Sequence, residues 1–323
     1  MPLAFLSQSI LHAVVAAVFV EALLRAWRIE DGAWRLRFRL LALTAPILWL
    51  PALWVVAPIR RSPVFVANWA LFAGERWNQI ELAGMGLGHF SLLAAAGLGS
   101  ALFLRDALPP LLDAVRGATR PLASGPWHPT TAGLRSLVAA RSSALAIPPP
   151  DVRLVDTPTP VLLCEGARDP VLVVSPPAIE RLGPDELDAA ITHELAHAKH
   201  RDPAWGYFLI AIRAALFFNP AAQWIARAMV DDIERRADQT AAAASGHPEA
   251  LARAIEKLSE ADHPPPLDGH ASFERVFWRI RHEGLARRCA RLRQAPGPGR
   301  VRASHALLAA AALGIFGLVF FVV

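Results

Sequence analysis

Residues 183–203 read GPDELDAAITHELAHAKHRDP, a helix with both ends written into it. Pro184 suits a first-turn position, Asp185 and Glu186 follow where the helix dipole favours acids, His200 and Arg201 crowd the last turn, and Pro203 marks a stop. Leu187, Ile191, Leu195 and Ala198 make its apolar stripe, which leaves His193 and His197 on a flank able to face a cleft. Positions i and i+4 share a face, so the two imidazoles can each offer a nitrogen to one metal ion with Glu194 beside it. A Lewis acid that lowers the pKa of a bound water, next to a carboxylate that takes its proton and returns it to a leaving amine, is the core of zinc-dependent hydrolysis. The competing reading is a chance H-E-x-x-H in an alanine-rich helix, and the start and stop signals on either side count against it.

Outward from this helix the chain is strongly apolar. Its 323 residues are 54% hydrophobic with a mean hydropathy of +0.33, too apolar for an ordinary soluble enzyme. The excess sits in blocks 6–24, 40–56, 82–104 and 305–323, each approaching the roughly 20 residues of a spanning helix. The first block has no basic n-region or small-residue cleavage site and reads as a retained span rather than a signal peptide. Arg25, Arg28, Arg35, Arg37 and Arg39 read as filling the first loop. Arg287, Arg288, Arg291, Arg293, Arg300 and Arg302 precede the last block, and the positive-inside rule puts both groups in the cytoplasm. Arg60, Arg61 and Arg76 vote the other way, less densely. The expected topology has both termini outside and residues 105–302 inside. The net charge of +5 then belongs to membrane-flanking arginines; no basic run is interleaved with stacking aromatics, which excludes direct nucleic-acid binding. Cys164 and Cys289 supply no disulfide framework and fit a reducing compartment.

The expected fold is a mainly α polytopic membrane protein of about four transmembrane helices with a cytoplasmic α+β zinc-protease domain. Three spans occupy 1–105, a lead-in 106–150, the catalytic domain 151–302 and a fourth span 303–323. Three short β-prone runs, VRLVD, PVLLC and VLVVS, precede the HELAH helix. Residues 205–230 are apolar enough for another span, but Asn219-Pro220 is an N-cap and N1 pair, so two helices are expected, the second running from Pro220 to about Ser245 with Gly246 as its stop. A single crossing there would also put His193 and any ligand beyond Val230 on opposite sides of the membrane.

A catalytic zinc takes three protein ligands and keeps one open position. On DDIERRADQ, residues 231–239, Glu234 and Asp238 lie one turn apart, so Glu234 can reach the metal while Asp238 accepts from a ligating imidazole. The bland reading is a solvated face with Asp231, Asp232 and Glu234 paired to Arg235 and Arg236. Another candidate is Asp268 in PPPLDGH, because site-2-type intramembrane proteases combine H-E-x-x-H with an LDG motif. HASFERVFWRIRHEG follows it, too polar for a bilayer core, and Asp268 reads as a loop residue.

HELAHAKHRD, FFNPAAQWIARAMVDDIERRAD and VLLCEGARDPVLVVS together resemble the gluzincin domain of the BlaR/MecR-type antirepressor membrane metallopeptidases, with HtpX and CAAX prenyl proteases as wider relatives. The resemblance covers roughly residues 150–293. It implies zinc on His193, His197 and Glu234, Glu194 as general base, and Asp202 and Asp238 as supporting carboxylates. Prenyl-protease and HtpX relatives position the substrate carbonyl with a His followed six residues later by Arg; His282 and Arg288 have that spacing, with Glu283 in place of the usual proline. The alternative is a membrane-facing basic helix of Arg287, Arg288 and Arg291. β-Lactam sensors of this type continue into a penicillin-binding domain, whereas this sequence stops at Val323, so the expectation is sensing by a partner, by the loop 57–81, or none. The resemblance implies a multi-pass protein of the bacterial inner membrane that cleaves a cytoplasmic transcriptional repressor or itself in signal transduction. The alternatives are HtpX-like quality control of membrane proteins and a non-proteolytic receptor stapled by zinc. PVLLC resembles the edge strand on which gluzincins dock an extended peptide.

Overall fold

The computed structural model describes residues 2–71, 77–82, 84–115, 131–166, 168–259, 273–294 and 303–322. Asp268, Arg76, Arg300 and Arg302 lie outside the described residues. Contacts divide the chain into two units, Met1–Arg105 with Arg213–Met229 and Pro298–Val323, and Asp106–Ile212 with Val230–Gly297.

Among its described residues the first unit holds three helices long and apolar enough to cross a membrane: Leu6–Ala26 within Pro2–Ala26, Gly32–Val56 and Leu87–Asp106, the last ending at the boundary with the second unit. The first two pack side by side. On the second, Leu36, Arg39, Leu43, Pro46, Leu50 and Leu53 are buried at alternating spacings of three and four, the repeat that keeps one stripe against a neighbouring helix. Arg39 breaks that stripe chemically, and Glu21 answers it, with Nε to Oε1 at 2.7 Å. Arg35, Arg37 and Arg39 therefore lie on a helix and not in the first loop. Asp31 is the reason: its side chain accepts from the backbone N–H of Trp34 at 2.8 Å and starts the helix eight residues before the apolar block does.

The 82–104 block also begins later than its hydropathy suggests. Glu81–Leu82 pairs antiparallel with Met85–Gly86 around Gly84, whose φ of 75° suits glycine, and the helix starts at Leu87. His305–Phe320 has 16 residues and rises about 24 Å, short of a bilayer core of about 30 Å. Arg60, drawn out of the expected second loop, caps that helix: Nε donates to the Phe320 carbonyl at 2.7 Å and Nη2 to that of Val319 at 3.2 Å.

The 205–230 stretch forms two helices, Asp202–Ala215 and Pro220–Ser245. Asn219 caps the second, accepting from Ala222 N–H at 3.1 Å. Residues 213–229 belong to the same unit as the apolar helices. Asn219 Nδ2 donates to the Ser9 carbonyl at 3.0 Å, and Gln223 Nε2 donates to the carbonyls of Arg213 and Leu216 at 2.9 and 3.1 Å, satisfying groups that the helix break would orphan.

In the second unit a three-stranded sheet has Val171–Val174 at its centre, parallel to Asp151–Leu154 and antiparallel to Leu162–Glu165. Leu162–Glu165 is thus an edge strand. The HELAH helix, Pro184–His200, packs against it and against helices Thr131–Leu145 and Pro248–Ser259. Ile191 and Leu195 are fully buried in the shared core with Leu172 and Val174, and Leu187 and Ala198 pack at its margin. Glu186 accepts from Gly183 N–H at 2.9 Å to close the first turn. The helix ends differently from the proline signal: Arg201 takes φ 55° and breaks it, and Asp202 then opens the next helix, so Pro203 sits in a new first turn.

Candidate metal centre

The one-turn spacing of His193 and His197 brings their Nε2 atoms to 3.0 Å. Glu234, from the Pro220–Ser245 helix, lies with Oε2 3.7 Å from His193 Nε2 and Oε1 3.7 Å from His197 Nε2. One ligand atom from each of the three residues lies within 4.8 Å of the others, and all three side chains are buried. Each imidazole has a carboxylate behind it. His197 Nδ1 meets Asp202 Oδ2 at 2.8 Å, and His193 Nδ1 faces Asp238 Oδ1 at 3.1 Å. An acceptor at Nδ1 holds the proton there and turns the Nε2 lone pair inward.

With both Nδ1 atoms turned to carboxylates, two Nε2 atoms 3.0 Å apart call for a shared cation between them, a proton or a metal ion, and Arg288 Nη2 also stands 3.3 Å from His193 Nε2. Both Glu234 oxygens are, in addition, buried without an in-line hydrogen-bond donor among the described residues, although Arg281 and Arg288 stand at ion-pair distance. In tetrahedral zinc sites with bonds of about 2.0 to 2.2 Å, neighbouring ligand atoms are about 3.3 to 3.6 Å apart, a range bracketed by the 3.0 and 3.7 Å separations here. Two nitrogens and one carboxylate are also a catalytic zinc donor set. The residues fit the metal.

The surrounding carboxylates favour a positive charge at this point, a proton in the absence of metal. Burial works against an imidazolium at His193, but Asp238 and Glu234 outweigh it and lift its pKa to about 9. Burial pushes the Glu234 and Asp238 carboxyls up, yet Arg281 and Arg288 together hold Glu234, and Arg288 holds Asp238, well below the usual carboxylate range. Arg288 donates from Nε and Nη2 to Asp238 at 3.0 and 2.8 Å and places Nη1 2.8 Å from Glu234 Oε2.

Glu194 shares the cavity wall with His193 and reaches the sheet edge, where Oε2 accepts the Cys164 backbone N–H at 3.0 Å. Antiparallel pairing turns the N–H groups of Val161 and its alternates toward the central strand, so Leu162 and Cys164 present their backbone groups outward. A cavity of about 140 Å³ opens along that edge, with His193, Glu194, His282 and Arg288 in its walls. His282 is exposed and Arg288 is buried.

Every expected site residue is described, and His193, Glu194, His197, Asp202, Glu234, Asp238, His282 and Arg288 all fall in one unit around one cavity or directly behind it. Three contributors escaped the sequence reading. Arg281 reaches Glu234 with Nε to Oε1 at 3.0 Å, Arg236 pairs with Asp202 from behind, and the Cys164 amide holds Glu194. Arg281 had a signal, since it stands two helical turns before Arg288 on the same face; a backbone amide has none.

Residues 152–266 match the family described as BlaR1 peptidase M56. Among curated proteins the chain is similar to the protease HtpX homolog of Syntrophobacter fumaroxidans, 30% identical over 171 residues, which are 41% of this chain and 60% of that protein. It is 28% identical to the homolog of Thermococcus sibiricus over 45% of this chain and 63% of that protein, and 36% identical to that of Moorella thermoacetica over 28% and 29%. The chain spans about three fifths of the first two relatives. Together these similarities support a membrane metallopeptidase family.

Proposed function

We propose that the chain is a membrane-embedded, zinc-dependent endopeptidase. The observation that carries this reading is the convergence of His193, His197 and Glu234 on one point, with Glu194 beside it at the edge of the sheet.

In this reading His193, His197 and Glu234 hold the metal, and Asp202 and Asp238 fix the two imidazoles in the tautomer that presents Nε2. A zinc ion bound there supplies a Lewis acid that makes water nucleophilic near neutral pH. Glu194 takes the proton from the attacking water and hands it to the departing amine, a transfer that its place in the cavity wall allows. His282 and Arg288 face the same cavity and are assigned to the substrate carbonyl. The extended substrate adds to the outward edge of Leu162–Glu165 through main-chain hydrogen bonds. The resemblance argues for a bacterial inner membrane, and the arginine distribution for this unit in the cytoplasm and both termini outside.

The substrate proposed is a cytoplasmic transcriptional repressor or the enzyme's own loop, a reading that rests on the resemblance to antirepressor-type peptidases; residues 152–266 match the family described as BlaR1 peptidase M56. A second reading, quality control of membrane proteins, is favoured by the similarity to HtpX homologs. Purified protein, wild type and Glu194→Gln, should be incubated with candidate substrates. Cleavage by wild type alone is expected; equal cleavage by both removes the peptidase reading and leaves a zinc-stapled receptor. In cells, a single repressor-sized protein stabilised by Glu194→Gln supports regulation, and broad accumulation of damaged membrane proteins supports the second reading.

A further inference from the structure

We propose that Arg281 reads a carboxylate on the peptide entering this cleft, making acidic residues the preferred neighbours of the cleaved bond; the inference rests on the peptidase reading above. The cavity wall carries two guanidiniums, Arg281 and Arg288, against one carboxylate, Glu194, with His282 exposed at the mouth. Arg288 is committed to both oxygens of Asp238 and to Glu234, and is 4% exposed. Arg281 meets Glu234 through Nε at 3.0 Å, and its side chain keeps 13% exposure.

Charge around the centre favours an anionic visitor. Glu194, Asp202, Glu234 and Asp238 face Arg236, Arg281 and Arg288, so four carboxylates meet three guanidiniums. A divalent cation on Glu234 would turn that small negative excess into a positive one, and of the two guanidiniums that reach Glu234 and line the cavity, Arg281 keeps the greater exposure.

Shape narrows the class further. Leu251, Ile255, Leu258 and Leu285 form an apolar wall of the same cavity. Its volume of about 140 Å³ is close to the ~150 Å³ that takes a benzene-sized group, so it admits one side chain of moderate size. A glutamate matches both halves: its methylene stem lies on the leucines and its carboxylate meets the planar guanidinium fork. A peptide's C-terminal carboxylate offers the same head group.

The test uses full-length, zinc-loaded protein in detergent, with metal content measured for every variant. Fluorescent peptides with amidated C-termini carry Glu, Gln or Lys scanned through an otherwise neutral frame, and a further set ends in a free carboxylate. Binding is read by anisotropy in the Glu194→Gln background and cleavage in the wild-type background. The Glu peptides should bind at least about tenfold tighter than the Gln peptides, as expected for a charge-assisted bond. Arg281→Gln should shrink that preference to within about twofold, and Arg281→Glu should turn it toward Lys. A gain confined to the free-carboxylate set, with no preference for Glu over Gln, overturns the preference for acidic side chains. Equal binding of Glu, Gln and free-carboxylate peptides, or a preference that survives in Arg281→Gln, overturns it. Cleavage without acidic preference sinks Arg281 alone, whereas acidic binding without any cleavage sinks the peptidase reading alone.

Discussion

Replacing Asp238 by alanine should weaken zinc binding by roughly 10 to 100-fold, or about 1.4 to 2.7 kcal/mol. Two terms act in the same direction. The first is the lost acceptor 3.1 Å from His193 Nδ1, which frees the imidazole to rotate and to change tautomer. The second runs through Arg288, which loses its two bonds to Asp238 and keeps its contact with Glu234 at 2.8 Å. A guanidinium that leans harder on Glu234 competes with the metal for it. Removing one of the two carboxylates that hold this buried arginine also costs stability, up to about 3 kcal/mol, less than a fully broken buried ion pair because Glu234 remains. Asp238→Asn keeps volume and an acceptor, so it should lie near the low end on both measures. The assay is competition with a chelating dye, run beside thermal melting of the metal-free protein. Asp231→Asn is the control, because the Asp231–Arg291 pair at 3.4 Å is partly exposed and worth at most about 1 kcal/mol. A folded Asp238→Ala protein that binds zinc as tightly as wild type would refute the reasoning.

Two further outcomes are expected. Gly99→Ala should destabilise the first unit by about 1 to 3 kcal/mol, because its Cβ would stand 2.4 Å from the Phe218 carbonyl carbon, whereas Gly97→Ala, with nothing within 4 Å, should not; melting in detergent compares the two. His200 is pushed down to about 4 by burial and by Arg236, so it folds neutral while its unfolded form takes a proton near pH 6.5. Its contribution is complete above pH 6.5 and is lost as pH falls toward 4, by on the order of 1 kcal/mol at pH 5 once partial exposure is discounted, and His200→Gln should show a correspondingly smaller loss of melting temperature between pH 7 and pH 5.

What the sequence made legible were features encoded in near neighbours. His193, Glu194 and His197 are one turn of one helix, Glu234 and Asp238 are another, and Asn219-Pro220 announces its own break. Span edges were harder, because hydropathy averages over a window while helix starts answer to single caps. Asp31 pulled three arginines onto a helix for that reason, and Gly84 held Leu82 back in a hairpin. Long-range pairings were invisible: nothing in the sequence joins Arg60 to the last helix or Arg236 to Asp202, since each depends on how distant segments pack.

The bond from the Cys164 amide to Glu194 bears on precision under thermal motion. In the proposed docking, the proton-accepting side chain and the incoming peptide are both fastened to one strand. When that strand sways, base and substrate are displaced together, and the separation between them varies far less than the position of either. Such common-mode motion is harmless to chemistry that depends on a difference of positions. A proline at residue 164 deletes one of the two fastenings, and the fluctuations of the carboxylate would then add to those of the peptide.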